Sequence, residues 1–533
     1  MKKILLSIVA CVLCFSLFLS GCAPTGGNGN GSYNNNENED CQYYDNGNRN
    51  DIDDNTDDNA QKDVGNTCCE NEHINDCPDD NICDDQGNDY KDGEQDCQGD
   101  VDGNDYEEDD DKGPDGNKDD DTDTCDHEPQ MGFVYISMSE LHSIALDSKG
   151  RIWTWGTGQH GQLGHGFLED EPKPRMVTVG HNYTELPLFT MVGAGMRHSI
   201  ALDETGKLWT WGIGQWGLSG TLGWLGHGTL HRDSELRPRK ITLGYSSLPS
   251  QPNFTTIELP VFVSITASFY RNHALDEYGH IWSWGSGPLG LGGINHTVFR
   301  PTKLQTGGAD GRIALPTFTS ISAGWRHSIA LDEQGRIWTW GEGYSGSLGH
   351  GAHVGFGVHE PRPRRIERSA SLVPLPQFTS ICAGRLHSIA LDEQGRIWSW
   401  GDSSRTGEGS TGIVNRPSMI FRGHENGTLP IFTSISAGGV QSLAIDTQGN
   451  IWTWGAVAFI DVANIALERR PISLNEGYLN VELPVFKTIS AGHVGNMVVD
   501  VYGQIWTWGA GQHGQLGHGA TSNEYTPRMI VFL

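Results

Sequence analysis

The chain has 533 residues, 36% of them hydrophobic, and its 67 acidic residues against 36 Lys and Arg give a net charge of −31. All of that excess lies in residues 23–130, with 36 acidic and 5 basic residues, whereas residues 131–533 are nearly neutral, with 29 basic against 31 acidic. A near-neutral repeat region behind an acidic segment gives no support to nucleic-acid binding, which needs a cationic surface.

Residues 1–22 carry two lysines followed by an apolar stretch from Ile4 to Leu19, the layout of a secretory signal. Its ending, Leu19-Ser20-Gly21-Cys22, resembles the lipobox of bacterial lipoproteins. That match implies cleavage before Cys22 and lipidation of Cys22. The apolar stretch is short for a spanning helix and no second candidate follows, so the expected chain is lipid-anchored on the extracytoplasmic face of the cell membrane.

Residues 23–130 collapse into Asp, Asn, Gly and Glu. Such a composition has too little apolar surface to fold and predicts a disordered, self-repelling acidic linker. Asp100–Asp105 and Asp115–Asp119 loosely suggest calcium loops but lack the Gly and Glu spacing of a well-formed one, so no metal site is assigned. Seven cysteines lie in this segment, and outside the cytoplasm they can form disulfides with one left over.

From residue 131 onward one sentence repeats seven times, marked by Trp-x-Trp-Gly starting at Trp153, Trp209, Trp282, Trp338, Trp398, Trp452 and Trp506. Units of this length cannot bury their apolar faces alone and must pack on one another. In the fourth copy, Phe318 to Ala323, His327 to Leu331 and Arg336 to Trp340 are short apolar runs rich in Ile, Trp, Thr and Phe and bounded by Gly. They read as strands. A weaker fourth run after the Pro-rich segment completes the unit. The expected fold is therefore all-β, a seven-bladed β-propeller of four-stranded antiparallel blades.

Every copy has Asp-x-x-Gly between its second and third strands, from Asp147/Gly150 to Asp500/Gly503. The fixed spacing predicts a bulged hairpin turn rather than seven acid or metal-binding groups. Trp-x-Trp places both indoles on one strand face, and 14 of the 17 tryptophans are used this way. Only Trp216, Trp224 and Trp325 fall outside, and these are the candidate binding residues. Arg beside Pro near each fourth strand predicts a protected edge, with a basic outer belt for acidic ligands as the sharper alternative.

The words Ser-x-Ala-Gly, His-Ser-x-Ala-Leu, Trp-x-Trp-Gly and the Gly-Gln-Leu-Gly-x-Gly tail at Gly161–Gly166 and Gly514–Gly519 together resemble the regulator of chromosome condensation repeat family. That resemblance covers about residues 131 to 533 and implies a seven-bladed propeller. Members have diverse roles, from nucleotide exchange on a small GTPase with chromatin binding to inhibition of other proteins by secreted bacterial members. The lipobox places this chain away from a cytosolic GTPase, and no exchange residue is carried over.

His142, His198, His327 and His387 recur before Ser-Ile-Ala-Leu, but Arg271, Gln441 and Gly495 stand at the equivalent positions. An incomplete set on separate blades reads as structural. No catalytic residue, cofactor or metal ligand is assigned. The expected function is a non-catalytic module binding a protein or glycan at the cell surface, with its partner at the irregular loops 218–225, 352–360 and 456–467. A hydrolase or lyase at the propeller mouth is the alternative, and guanine-nucleotide exchange by family analogy the third.

Overall fold

Each copy folds as a meander in which the second strand buries both faces along its whole length, as His142–Asp147 does, while the fourth, as in Glu171–Met176, stays partly exposed. The computed structural model describes residues 132–214, 223–228, 234–293, 296–308, 310–351, 359–457 and 466–532. Cys22, Trp216 and the acidic segment lie outside them. Blade one runs Phe133–Met138, His142–Asp147, Ile152–Gly156 and Glu171–Met176, each strand antiparallel to the one before. Six further blades repeat this order over 189–240, 262–303, 318–365, 378–419, 432–473 and 486–529. The first strand of each blade packs against the first strands of its neighbours, so these seven line the axis.

The fourth strand departs from expectation. It does not follow the Pro-rich segment but consists of it, as in Glu171–Met176 (EPKPRM) and His359–Arg365 (HEPRPRR). Proline is tolerated there because in six of the blades the strand has a neighbour on one side only. The long 73-residue interval between the second and third Trp pairs has two sources: a longer connection between Gly212 and Glu235 in blade two, and a hairpin, Leu243–Tyr245 with Thr256–Glu258, added to the edge of blade three.

The turn carboxylates are structural throughout. In blade four, Asp332 Oδ1 accepts from the Gln334 and Arg336 amides, while Oδ2 accepts from Arg336 Nε and from Trp338 Nε1 at 2.8 Å. The first indole of all seven pairs donates to its turn Asp in this way. It also meets the first-strand Phe edge to face, at centroid distances from 5.9 to 6.1 Å. The glycine after each pair sits at φ between 104° and 117°. At Gly156 a Cβ would meet the Leu141 carbonyl oxygen at 2.6 Å, so only glycine fits.

The second indole is the spacer between blades. Trp155, Trp211, Trp284, Trp340, Trp400 and Trp454 are all 0% exposed. Trp211 Nε1 donates across the blade boundary to the Gln162 carbonyl, and Trp155 does the same to Gln515. The ring closes by the same device. In each blade the first-strand Phe amide donates to the turn glycine of the preceding blade, and Phe133 donates to Gly503 at 2.8 Å as Phe189 does to Gly150 at 2.9 Å. Blade seven therefore meets blade one as any blade meets the next, with no exchanged strand.

Candidate functional site

Opposite the Asp turns, the loop joining the first and second strands of each blade is a tight hairpin. In blade four the Gly324 amide donates to the His327 carbonyl, leaving only Trp325 and Arg326 at the tip. The corresponding tips hold Glu140 and Leu141, Met196 and Arg197, Phe269 and Tyr270, Arg385 and Leu386, Gly439 and Val440, and His493 and Val494. Because the first strands line the axis, these tips gather over its end. Met196 and Phe269 pack there with Leu141 and Trp325, joining blades one to four.

Trp325 is the centre of the cluster. The Arg326 guanidinium lies 4.4 Å from its ring centre and the Arg385 guanidinium 4.8 Å. Arg326 also reaches the Tyr344 ring at 5.2 Å and pairs with Glu342 at 2.8 Å. From below, the buried Arg271 donates Nη2 to the Trp325 carbonyl at 2.7 Å. Cationic heads held against aromatic faces gain electrostatic attraction to the rings and lose mobility. On the other side of the mouth, burial raises the Glu140 carboxyl to about 9, with Arg385 and Arg197 pulling it down. Burial also lowers Arg197 to about 10, and lowers His493 to about 3 together with Arg385 and Arg405. At neutral pH the mouth is therefore cationic and aromatic, with a protonated Glu140 among its arginines.

Guanidiniums on aromatic faces are recognition chemistry: fork-shaped donors for carboxylates, beside flat apolar area. Among the described residues there is no group of three His, Cys, Asp or Glu side chains that could hold a metal ion. Also among them, no helix is long and apolar enough to cross a membrane.

Of the candidate residues, Trp325 lies at the mouth. Trp224 does not offer a face. It is 1% exposed, and its carbonyl accepts from Trp284 Nε1 at 3.1 Å and Asn272 Nδ2 at 2.8 Å. It thus takes the place between blades that Gln162 takes earlier in the ring, with Tyr270 over it at 4.9 Å. The second-copy insertion had suggested an exposed anchor; the residue is packing. Of loop 218–225, residues 223–225 are described; of 352–360, residues 359 and 360; and of 456–467, residues 456, 457, 466 and 467.

The recurrent histidines bridge blades. His142, His327 and His387 each place Nε2 2.8 Å from the Ser199, Ser388 or Ser442 hydroxyl of the next blade. His198 meets Asn272 Oδ1, which can only accept, so Nε2 carries the proton. In blade three Arg271 stands in the histidine position and His273, two residues on, reaches Ser328 at 2.9 Å. The edge arginines Arg175, Arg239, Arg364 and Arg528 each pair with a Glu four residues earlier. Sequence reading had missed Glu140, Arg197, Arg326 and Arg385. An arginine recurs at the tips just before the His-Ser words, and aligning the seven tips would have exposed it.

The regulator of chromosome condensation (RCC1) repeat model matches residues 149–202, 278–331, 334–391 and 502–533, and a second model of that repeat matches 133–162, 318–347 and 378–406. The matched segments are RCC1 repeats. The ultraviolet-B receptor UVR8 of Arabidopsis thaliana is 26% identical over 414 residues, 76% of this chain and 83% of the receptor. The human E3 ubiquitin-protein ligase HERC2 is 28% identical over 325 residues, 59% of this chain but only 6% of the ligase. Yeast RCC1 (Prp20), solved bound to Kap60, is similar in fold at a TM-score of 0.56 and 22% identity, covering 76% of this chain and 85% of that one. Human WBSCR16 reaches 0.55 at 17% identity, covering 72% and 95%.

Proposed function

We propose that this chain is a non-catalytic binding module, lipid-anchored through Cys22 on the extracytoplasmic face of a membrane, whose propeller mouth takes an acidic segment of a partner protein. The observation that carries the reading is Trp325 held between the guanidiniums of Arg326 and Arg385. Trp, Tyr and Arg dominate the energetic centres of protein interfaces, and here they meet over one axis on a rigid ring. A protein as the ligand is in keeping with yeast RCC1, which is solved with Kap60 and has been studied for its binding to Gsp1p and histones. A protein is preferred to a glycan because forked arginines recognise carboxylates, while neutral sugars need no such charge.

The test is capture at the native cell surface by the intact chain, repeated with Trp325→Ala and Arg385→Glu. A protein retained by the parent and lost from both variants, with melting unchanged, is the expected result. Equal retention by all three chains rejects the mouth.

A further inference from the structure

Outside the mouth, positive charge concentrates on the outer edge of blade four. Its fourth strand, His359–Arg365, reads HEPRPRR, and Arg368 follows three residues later. No other fourth strand packs as many arginines against its carboxylates; Ile413–Met419, for example, carries one. Beside this strand lies a cavity of about 560 Å³, with Arg364, Arg365, Arg368 and Arg416 in its wall and Trp338 and Ile313 as apolar lining. Glu367 is the one carboxylate among its lining residues.

Carboxylates do not neutralise this wall. Glu360 pairs with Arg364 and Glu367 with Arg365. Arg368 and Arg416 have no ion-pair partner among the described residues, and segment 352–358, which lies outside them, contains no Asp or Glu. Arg416 arrives from blade five and its guanidinium lies over Gly351, so the cavity draws cations from two blades. His350 in the same wall is nearly fully buried and bonded to Thr339, and burial with Arg364 and Arg416 lowers it to about 3. It stays neutral and adds no charge of its own. What remains is a recess with two guanidiniums that no carboxylate neutralises, Arg416 and Arg368, the latter giving one Nη1 donor to the Leu372 carbonyl at 3.1 Å, beside two paired ones.

We infer that this recess on blades four and five binds a phosphate-type oxyanion, carried by a phosphomonoester or phosphodiester. Two arginines without a carboxylate partner match the charge of one such group, and the donors left on their planar forks match its tetrahedral oxygens. The site is independent of the mouth and of the partner proposed there. A membrane phospholipid headgroup and a soluble phosphate compound present the same chemistry.

The experiment uses the full chain and two probes: inorganic phosphate by titration calorimetry, and phosphatidylcholine vesicles with and without phosphatidylglycerol by co-sedimentation. Saturable binding of at least one probe is expected, weakened by added sodium chloride. Arg368→Gln, at an exposed position, should weaken it about tenfold with melting unchanged, the effect of losing one charged hydrogen-bond pair. Arg416→Gln should do the same, while Arg175→Gln on blade one should not. A response confined to phosphatidylglycerol vesicles assigns the headgroup, and one confined to inorganic phosphate assigns a soluble ligand. Absence of binding to both probes overturns the inference. So does undiminished binding in Arg368→Gln, or equal weakening by Arg175→Gln.

Discussion

His327 illustrates how one residue type can look functional and be structural. Its Nε2 reaches the next blade, and burial with the nearby Arg271 lowers its pKa from 6.5 to about 3. His142 and His387 are also held near 3, and His198 near 4. The folded ring keeps these imidazoles neutral, whereas the unfolded chain protonates them below about pH 6.5. Their contribution is therefore complete above pH 6.5 and lost as pH falls toward 3 to 4. Thermal melting followed from pH 7 to pH 4.5 should decline steadily. His327→Gln should make that decline shallower, since Gln441 already fills the same position in blade six and donates to Asn496. An unchanged slope would mean that His327 titrates normally in the fold. Glu140 runs the other way. Its carboxyl is raised from 4.5 to about 9, so it costs stability as pH rises from 4.5 toward 9. Glu140→Gln should raise the melting temperature at pH 8 and leave it nearly unchanged at pH 4, read by the same melts.

Elements were legible where a local rule sufficed. The three strands read in the fourth copy appear as Phe318–Ala323, His327–Asp332 and Ile337–Glu342, and the Asp turns hold because one carboxylate satisfies several nearby donors. The fourth strand was placed just after the Pro-rich segment, which had been read as the protection of its edge; the prolines lie in the strand itself because an outer strand can carry them. In the fifth copy, where Gly401-Asp402-Ser403 stands in the place of Gly156-Thr157-Gly158, Asp402 accepts from the Ser404 amide and caps a short helix, Ser403–Thr406. The spacer indoles give the element-scale prediction. Trp400 is fully buried and donates to the Ser347 carbonyl of the preceding blade. Trp400→Ala should cost ~3–5 kcal/mol, measured by urea unfolding. A loss under ~1 kcal/mol would show that the blades do not depend on this contact.

On the scale of the whole molecule, the mouth was hidden from the sequence because it exists only after closure. Each blade contributes a two-residue tip, and Leu141, Met196, Phe269 and Trp325 become neighbours only when the ring brings them together. Trp325 was visible as a tryptophan outside the Trp-x-Trp words; the arginines over it were dispersed across separate copies. Closure through Phe133 and Gly503 implies that the seventh blade is indispensable. A chain ending at residue 485 should lose its cooperative melt, and retention of one by calorimetry would argue that six blades can close. The anchor is tested apart from the fold: Cys22→Ala should move the chain from the detergent phase to the aqueous phase, and continued detergent partitioning would remove the lipid from the proposal.

The most direct measurement of the binding face is site-specific photocrosslinking in intact cells, with a crosslinking amino acid at Leu386 beside the mouth or at Tyr502 on the opposite, Asp-turn face. The mouth proposal predicts a discrete protein adduct from position 386, lost when Arg385→Glu is added, and none from position 502. An adduct from position 502 alone, or one from 386 that survives Arg385→Glu, would contradict it.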